Sequence, residues 1–113
     1  MTEITLVLFQ YANGLCPYQK WFDGLKDLRT QAIIDARITR IRQGLLGDHR
    51  SVGKGVFEFR IDWGPGYRIY FAQEGKSLVL LLGGGDKKSQ LQDIRSAKEA
   101  WLWHQRRKRN NER

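Results

Sequence analysis

Cysteine, methionine, proline and histidine are all scarce in this chain of 113 residues, at one, one, two and two copies. A lone Cys16 permits no internal disulfide, and no Cys/His set has the spacing of metal ligands. The two histidines, His49 and His104, stand in no shared context that suggests a paired-imidazole acid–base site. Long apolar runs are missing too. The N-terminal run Ile4–Phe9 has the length of a strand, and Glu3 stands where a signal peptide carries basic residues. These absences lead to the expectation of a cytoplasmic protein with no membrane association, no metal and no cofactor.

What the chain does have is positive charge. The net charge is +8 with a pI near 10.0. Seventeen of the twenty Lys and Arg lie downstream of residue 36, against eight of the twelve acids. Such a distribution points to an anionic partner: nucleic acid, a membrane surface or an acidic protein. The size fits one domain with a real core, expected over residues 1–105, followed by a frayed basic tail over 106–113.

Apolar spacing gives the elements. Ile4–Phe9 reads as a strand, broken by Asn13-Gly14 and Pro17. Tyr18, Trp21, Phe22, Leu25 and Leu28 recur at helical spacing behind Pro17. Thr30 is the expected N-cap of a second helix, with Ile34, Ile38, Ile41 and Leu45 as its stripe and Arg37, Arg40 and Gln43 off it. Residues 48–51 read as loop. Val56–Asp62 and Tyr67–Ala72 alternate as strands: Phe57, Phe59, Ile61, Tyr67, Ile69 and Phe71 face one way, and Glu58, Arg60, Arg68 and Tyr70 the other. Ser77–Leu82 is apolar throughout, hence a central strand closed by Gly83–Gly85. Ser89 with Gln92 reads as a capping box for a last helix whose buried stripe is Leu91, Ile94, Ala97 and Trp101. The order is β-α-α-β-β-β-α. The predicted fold is α+β: one mostly antiparallel sheet packed by a helical hairpin and a C-terminal helix.

Several segments carry a resemblance. They are Trp21-Phe-Asp-Gly-Leu-Lys-Asp-Leu28, Arg37-Ile-Thr-Arg-Ile-Arg-Gln-Gly44, Gly55-Val-Phe-Glu-Phe-Arg60, Gly64-Pro-Gly-Tyr-Arg-Ile-Tyr-Phe71, Leu80-Leu-Leu-Gly-Gly-Gly-Asp-Lys-Lys-Ser-Gln90, and Asp93-Ile94 with Ala97. In order and spacing the chain resembles the RelE/ParE/HigB superfamily of bacterial toxins, and within it the addiction-module killer proteins. The resemblance covers roughly residues 4–103. It implies a RelE-like fold and a type II toxin: an endoribonuclease that cuts messenger RNA, usually on the ribosome, and leaves 2′,3′-cyclic phosphate ends. It also implies neutralisation by a cognate antitoxin, often a helix-turn-helix protein. Two alternatives stay open, since superfamily members also inhibit DNA gyrase: a non-enzymatic gyrase inhibitor, or a non-toxic nucleic-acid-binding relative.

RNA cleavage without metal needs a base for the 2′-hydroxyl, cations on the phosphate and an acid for the leaving 5′-oxygen. By the resemblance, Arg68 is the phosphate-binding arginine; the residues also allow it an ion pair with Glu58. Arg60 shares its face. Glu58 can serve as base or as the structural partner of two arginines, and the structural role is expected. Lys54, at a position comparable with basic residues of nuclease members, is a base or phosphate clamp, or else a solvated loop lysine. Lys87 and Lys88 match the family's basic pair, behind glycines that let backbone approach an anion. His49, Arg50 and Gln90 complete the expected RNA contacts. Nuclease relatives carry a Tyr or His early in the last helix. Gln90-Leu-Gln-Asp-Ile94 has none, and Tyr70 stands as the substitute proton-transfer group. Gly83-Gly-Gly-Asp-Lys-Lys-Ser is no Walker A loop, because Asp86 separates Gly from Lys. Trp103 cannot share a buried stripe with Trp101, so it packs on a loop or offers an exposed ring.

Overall fold

The computed structural model describes residues 3–111. Its elements are β1 (Thr5–Leu8), α1 (Pro17–Asp23), α2 (Leu28–Arg42), β2 (His49–Gly53), β3 (Val56–Ile61), β4 (Tyr67–Glu74), β5 (Leu78–Asp86) and α3 (Gln90–Asn111). The α+β architecture is as expected. The sheet runs β1-β5-β4-β3-β2, with β1 parallel to β5 and every other pair antiparallel. β5 is indeed central, flanked on both sides and buried through Val79–Gly83.

Strict alternation along β3 and β4 builds two cores. Phe59, Ile61, Ile69 and Phe71 join Tyr18, Ile34, Ile38 and Ile41 beneath α1 and α2. Val56, Tyr70 and Ala72 face the other way and meet Phe9, Leu80, Leu82, Ala97 and Ala100 beneath α3. The sheet is therefore covered on both faces. Tyr70, expected as a proton-transfer group, is fully buried, and the side chain of Arg68, expected on the phosphate, is 13% exposed.

Several local expectations are corrected. The loop at 48–51 is largely the edge strand β2, which turns into β3 through Lys54-Gly55. Both have positive φ, 54° and 83°, the twist that a tight two-residue hairpin requires. β2 is polar and mostly exposed, so it carries no apolar alternation. The cap of α2 is Asp27, which accepts from the Arg29 N–H and the Thr30 hydroxyl; Thr30 itself is buried. Arg37 is buried, not off the stripe. Its guanidinium donates to the carbonyls of Arg60, Leu46 and Asp48, tying α2 to the entry and exit of the β2–β3 hairpin. Burial makes its charged form less favourable than in water, and these three acceptors offset that cost.

α3 is helical through Asn111, so residues 106–111 of the expected frayed tail are helix; Glu112 and Arg113 lie outside the described residues. Its inner face is made of Ala97 and Ala100, small enough to bring the helix close, while Leu91 is 82% exposed. The Ser89 hydroxyl donates to Asp93 instead of capping Gln92, and Asp86 accepts from the Lys88 and Ser89 N–H groups. Trp103 packs edge-on against Phe9 and Tyr11, beneath the Arg107 guanidinium. Near the far end of α3, His104 and Lys108 hold Glu74 at 2.8 and 2.9 Å.

The glycines after Leu82 do not close the strand; they continue β5 to Asp86. A Cβ on Gly84 would stand 2.2 Å from the Trp21 ring, so the indole lies flat on bare backbone. Gly84→Ala is expected to destabilise the protein by about 1–3 kcal/mol through overpacking. Urea denaturation should show the drop in midpoint, and Trp21→Leu in the same chain should recover part of it by double-mutant cycle. A Gly84→Ala variant as stable as its parent would show that the ring moves aside freely.

Candidate functional site

The register of β3 against β4 sets Glu58 opposite Tyr70 and Arg60 opposite Arg68, all four on the α3 side. The first residue of α3, Gln90, closes over this group. Glu58 ends with no solvent access at all. One carboxylate oxygen accepts from Arg50 Nε at 2.7 Å, and Gln90 Nε2 donates to both oxygens at 3.2–3.3 Å. Arg68 Nε lies 3.8 Å from the second oxygen, an ion-pair distance too long for a hydrogen bond. A carboxylate so placed stays in the core only because its charge is met on three sides. The expected structural role of Glu58 is what the geometry gives, but its two arginines are Arg50 and Arg68. Arg60 instead reaches out to Asp48, with Nε and Nη2 at 3.1 and 2.7 Å, and that bond holds the Asp48 carboxyl below its ordinary range.

Arg68 Nε is thus buried without a hydrogen-bond partner among the described residues, held toward Glu58 by charge alone, and the outer donors are left toward the rim. Nη1 bonds only weakly, at 3.4 Å, to the Tyr67 carbonyl, and stands 3.4 Å from where a Gly66 Cβ would be. The Lys87 Cβ is 3.7 Å from that same point. Arg68, Lys87 and, across the strand pair, Arg60 with the Asp48 carboxylate it holds therefore form one charged rim, cationic on balance, with exposed Lys88 next in the chain. A planar guanidinium fixed at one end suits two oxygens of one phosphate.

Tyr70 belongs to this face, but its hydroxyl is buried and unpartnered among the described residues. Burial, reinforced by the charges of Glu58 and Asp93, pushes its ionisation well above the ordinary tyrosine value. It stands behind the rim, not on it. Lys54 and His49 are not brought to the rim. Lys54 is the hairpin tip, six residues from Arg60 and about 20 Å along the strand. Arg60, Arg68 and Lys87 are therefore at the other end of the strand pair. His49 pairs with Phe59, so its ring lies on the α2 side near Phe59 and Phe71, while its neighbour Arg50 points to the α3 side. One residue of offset along a strand reverses the face.

Asp93 is the residue that sequence reasoning missed. Its carboxylate fills the space where a Gly85 side chain would be, and Gly85 is the register partner of Arg68. Cross-strand neighbours lie roughly 5 Å apart at Cβ, which puts this carboxylate on the same face of the sheet as Arg68; among the described residues the two form no ion pair. Burial first, then Asp86, raise its pKa above the usual aspartate range. The available signal was Gly85 itself: a strand glycine marks a close approach. The triglycine thus receives Trp21 and Asp93, not an anion on open backbone. Among the described residues no three His, Cys, Asp or Glu side chains gather as a metal site, and no helix is long and apolar enough to cross a membrane.

No family model matches the chain. It is similar to an uncharacterized protein of Haemophilus influenzae, with 49% identity over 81 residues that cover 72% of this chain and 82% of that protein. The chain belongs to the same family as that protein.

The buried carboxylate gives a direct test. Glu58→Gln removes a charge-assisted bond and should destabilise the fold by about 2 kcal/mol in urea unfolding. Arg50→Gln in the same chain should add less than it does alone, because the two share one interaction. Strict additivity would show that the pair is not coupled.

Proposed function

We propose that this chain is the toxin of a type II toxin–antitoxin pair, a cytoplasmic endoribonuclease that cuts messenger RNA on the ribosome without a metal ion. The observation that carries this reading is the rim of Arg68, Arg60 and Lys87, with Arg68 anchored from behind by buried Glu58. The resemblance of the chain to RelE/ParE/HigB toxins supports it independently.

In this reading Arg68 forks onto the scissile phosphate, and Arg60, Lys87 and Lys88 offset its negative charge. Asp93, whose carboxylate holds a proton more readily than an ordinary aspartate, takes the 2′-hydroxyl proton. The 2′-oxygen bonds to phosphorus as the bond to the 5′-oxygen breaks. A proton from the Lys87 ammonium passes to the leaving oxygen. The products are a 2′,3′-cyclic phosphate and a 5′-hydroxyl. Glu58, Gln90, Arg50 and Tyr70 position the arginine and touch no substrate. A cognate antitoxin with an acidic or amphipathic segment neutralises the toxin by covering the rim.

Expression without a partner should arrest growth, and Arg68→Ala should relieve the arrest. Cleavage of ribosome-bound messenger should persist when divalent ions beyond those the ribosome needs are chelated. It should stop with a 2′-deoxy scissile nucleotide. The rate should rise with pH as Asp93 loses its proton, with a midpoint above the ordinary aspartate range. Asp93→Asn should remove that limb and lower the rate by about 10²–10⁴-fold. A folded, fully toxic Arg68→Ala variant would remove the phosphate clamp from the scheme. Inhibition of DNA supercoiling with no RNA cut would move the protein to the gyrase-inhibitor class.

A further inference from the structure

A second cationic feature lies at the other end of the sheet. The apex of the β2–β3 hairpin leans on α3: a Cβ on Gly53 would be 3.3 Å from Lys98 Nζ, and one on Gly55 would be 3.0 Å from Trp101 Nε1. Between hairpin and helix lies a cleft of about 340 Å³. Lys54, Arg95 and Lys98 line it, and none of the three is in an ion pair among the described residues. Glu99 is the one acid on its wall. Trp101 and Leu102 supply an apolar surface, and Gln105 an amide.

Three cations converging on one cleft repel one another, and among the described residues Glu99 is the acid on the cleft wall that offsets that repulsion. The helical period carries the charge onward. Arg106 and Arg109 fall on the same side of α3 as Arg95, Lys98 and Leu102, and all but the half-buried Lys98 are exposed. The stripe from Arg95 to Arg109 is about 21 Å long.

We propose that this cleft is a second RNA-binding subsite, which holds one nucleotide of a single strand by its phosphate and its base. Lys54, Arg95 and Lys98 take the phosphate, the base lies on Trp101 and Leu102, and the Gln105 amide meets a base edge. An acidic peptide would use the cations but not the aromatic floor, whereas a nucleotide has both an anion and a flat ring. Arg106 and Arg109 continue the track for the next phosphates. Lys54 thus regains a phosphate contact, about 20 Å from the rim rather than within it. The proposal rests on the reading of the chain as an RNA-acting protein and extends it to a strand several nucleotides long.

The test uses the full chain and a fluorescent, uncleavable 2′-O-methyl RNA of about 12 nucleotides, with affinity read by anisotropy from about 50 to 200 mM salt. The double variant Arg95→Ala/Lys98→Ala should bind at least tenfold more weakly, and its log–log salt slope should be shallower by about 1.4, the value for two phosphate contacts on a single strand. Gln105→Glu, a change at an exposed position, should weaken binding as well. Arg68→Ala should abolish cleavage yet keep the salt slope contributed by the cleft. Binding retained by a wild-type protein that cuts no RNA would sink the nuclease reading and leave this subsite standing. A folded double variant with wild-type affinity and slope overturns the subsite. Polyglutamate competing as well as RNA at equal charge would assign the cleft to an acidic protein partner instead.

Discussion

A carboxylate with no access to water has to be surrounded by donors before the chain around it can close, and Glu58 is such a group. Its partners come from three separate elements: Arg50 from β2, Arg68 from β4 and Gln90 from the start of α3. Each must be in register for the charge to be met. The interaction therefore does more than hold an arginine. It fixes the edge strand, the central hairpin and the entry of the last helix relative to one another. The rim follows from that constraint, since Arg68 turns its remaining donors outward only because its Nε faces Glu58. Arg37 does the corresponding work on the opposite face, where three backbone carbonyls converge on one buried guanidinium. Two buried charged side chains, one on each side of the sheet, thus frame the same hairpin.

Much of this was legible in the sequence, for a physical reason. A period of two along residues 56–62 and 67–72 assigns every side chain to a face, so Glu58, Arg60, Arg68 and Tyr70 could be grouped from the sequence alone. The unbroken apolar run at 78–82 likewise marked β5 as an interior strand, buried on both faces. What was not legible has causes as specific. β2 is polar because it is an edge, so its pairing with β3, and with it the Arg50–Glu58 bond, left no apolar pattern. The packing of α3 on the sheet was foreseen, with Ala97 in its stripe, but which strand residues it covers was not: Leu91 is exposed and Ala100 is buried, so Tyr70 lies under the helix. Lys54 read as a phosphate clamp or a loop lysine, and not as a hairpin tip, because a two-residue turn is invisible when the strand before it is.

The glycines teach the same lesson from the other side. A Gly-rich stretch followed by lysines suggests backbone laid open to an anion. Here Gly84 and Gly85 are occupied by Trp21 and by Asp93. A glycine in a strand says only that something comes close. Whether the visitor is a ligand or another part of the chain is decided by the elements packed on either side, which a linear reading does not contain.

The parallel pairing of β1 with β5 has a consequence for how the molecule is made. Thr5 pairs with Leu78, so β1 waits for a partner synthesised seventy-three residues later. At typical elongation rates that delay is several seconds or more, whereas a hairpin such as β3–β4 closes in microseconds. The meander and its helices are expected to assemble first and to present the bare edge of β5. Val7 and Leu8, still 40% exposed in the finished fold, would be fully in water until then. The nascent chain therefore carries an unpaired strand of four residues until β5 is made, and its shortness is a safeguard against pairing with a neighbouring copy.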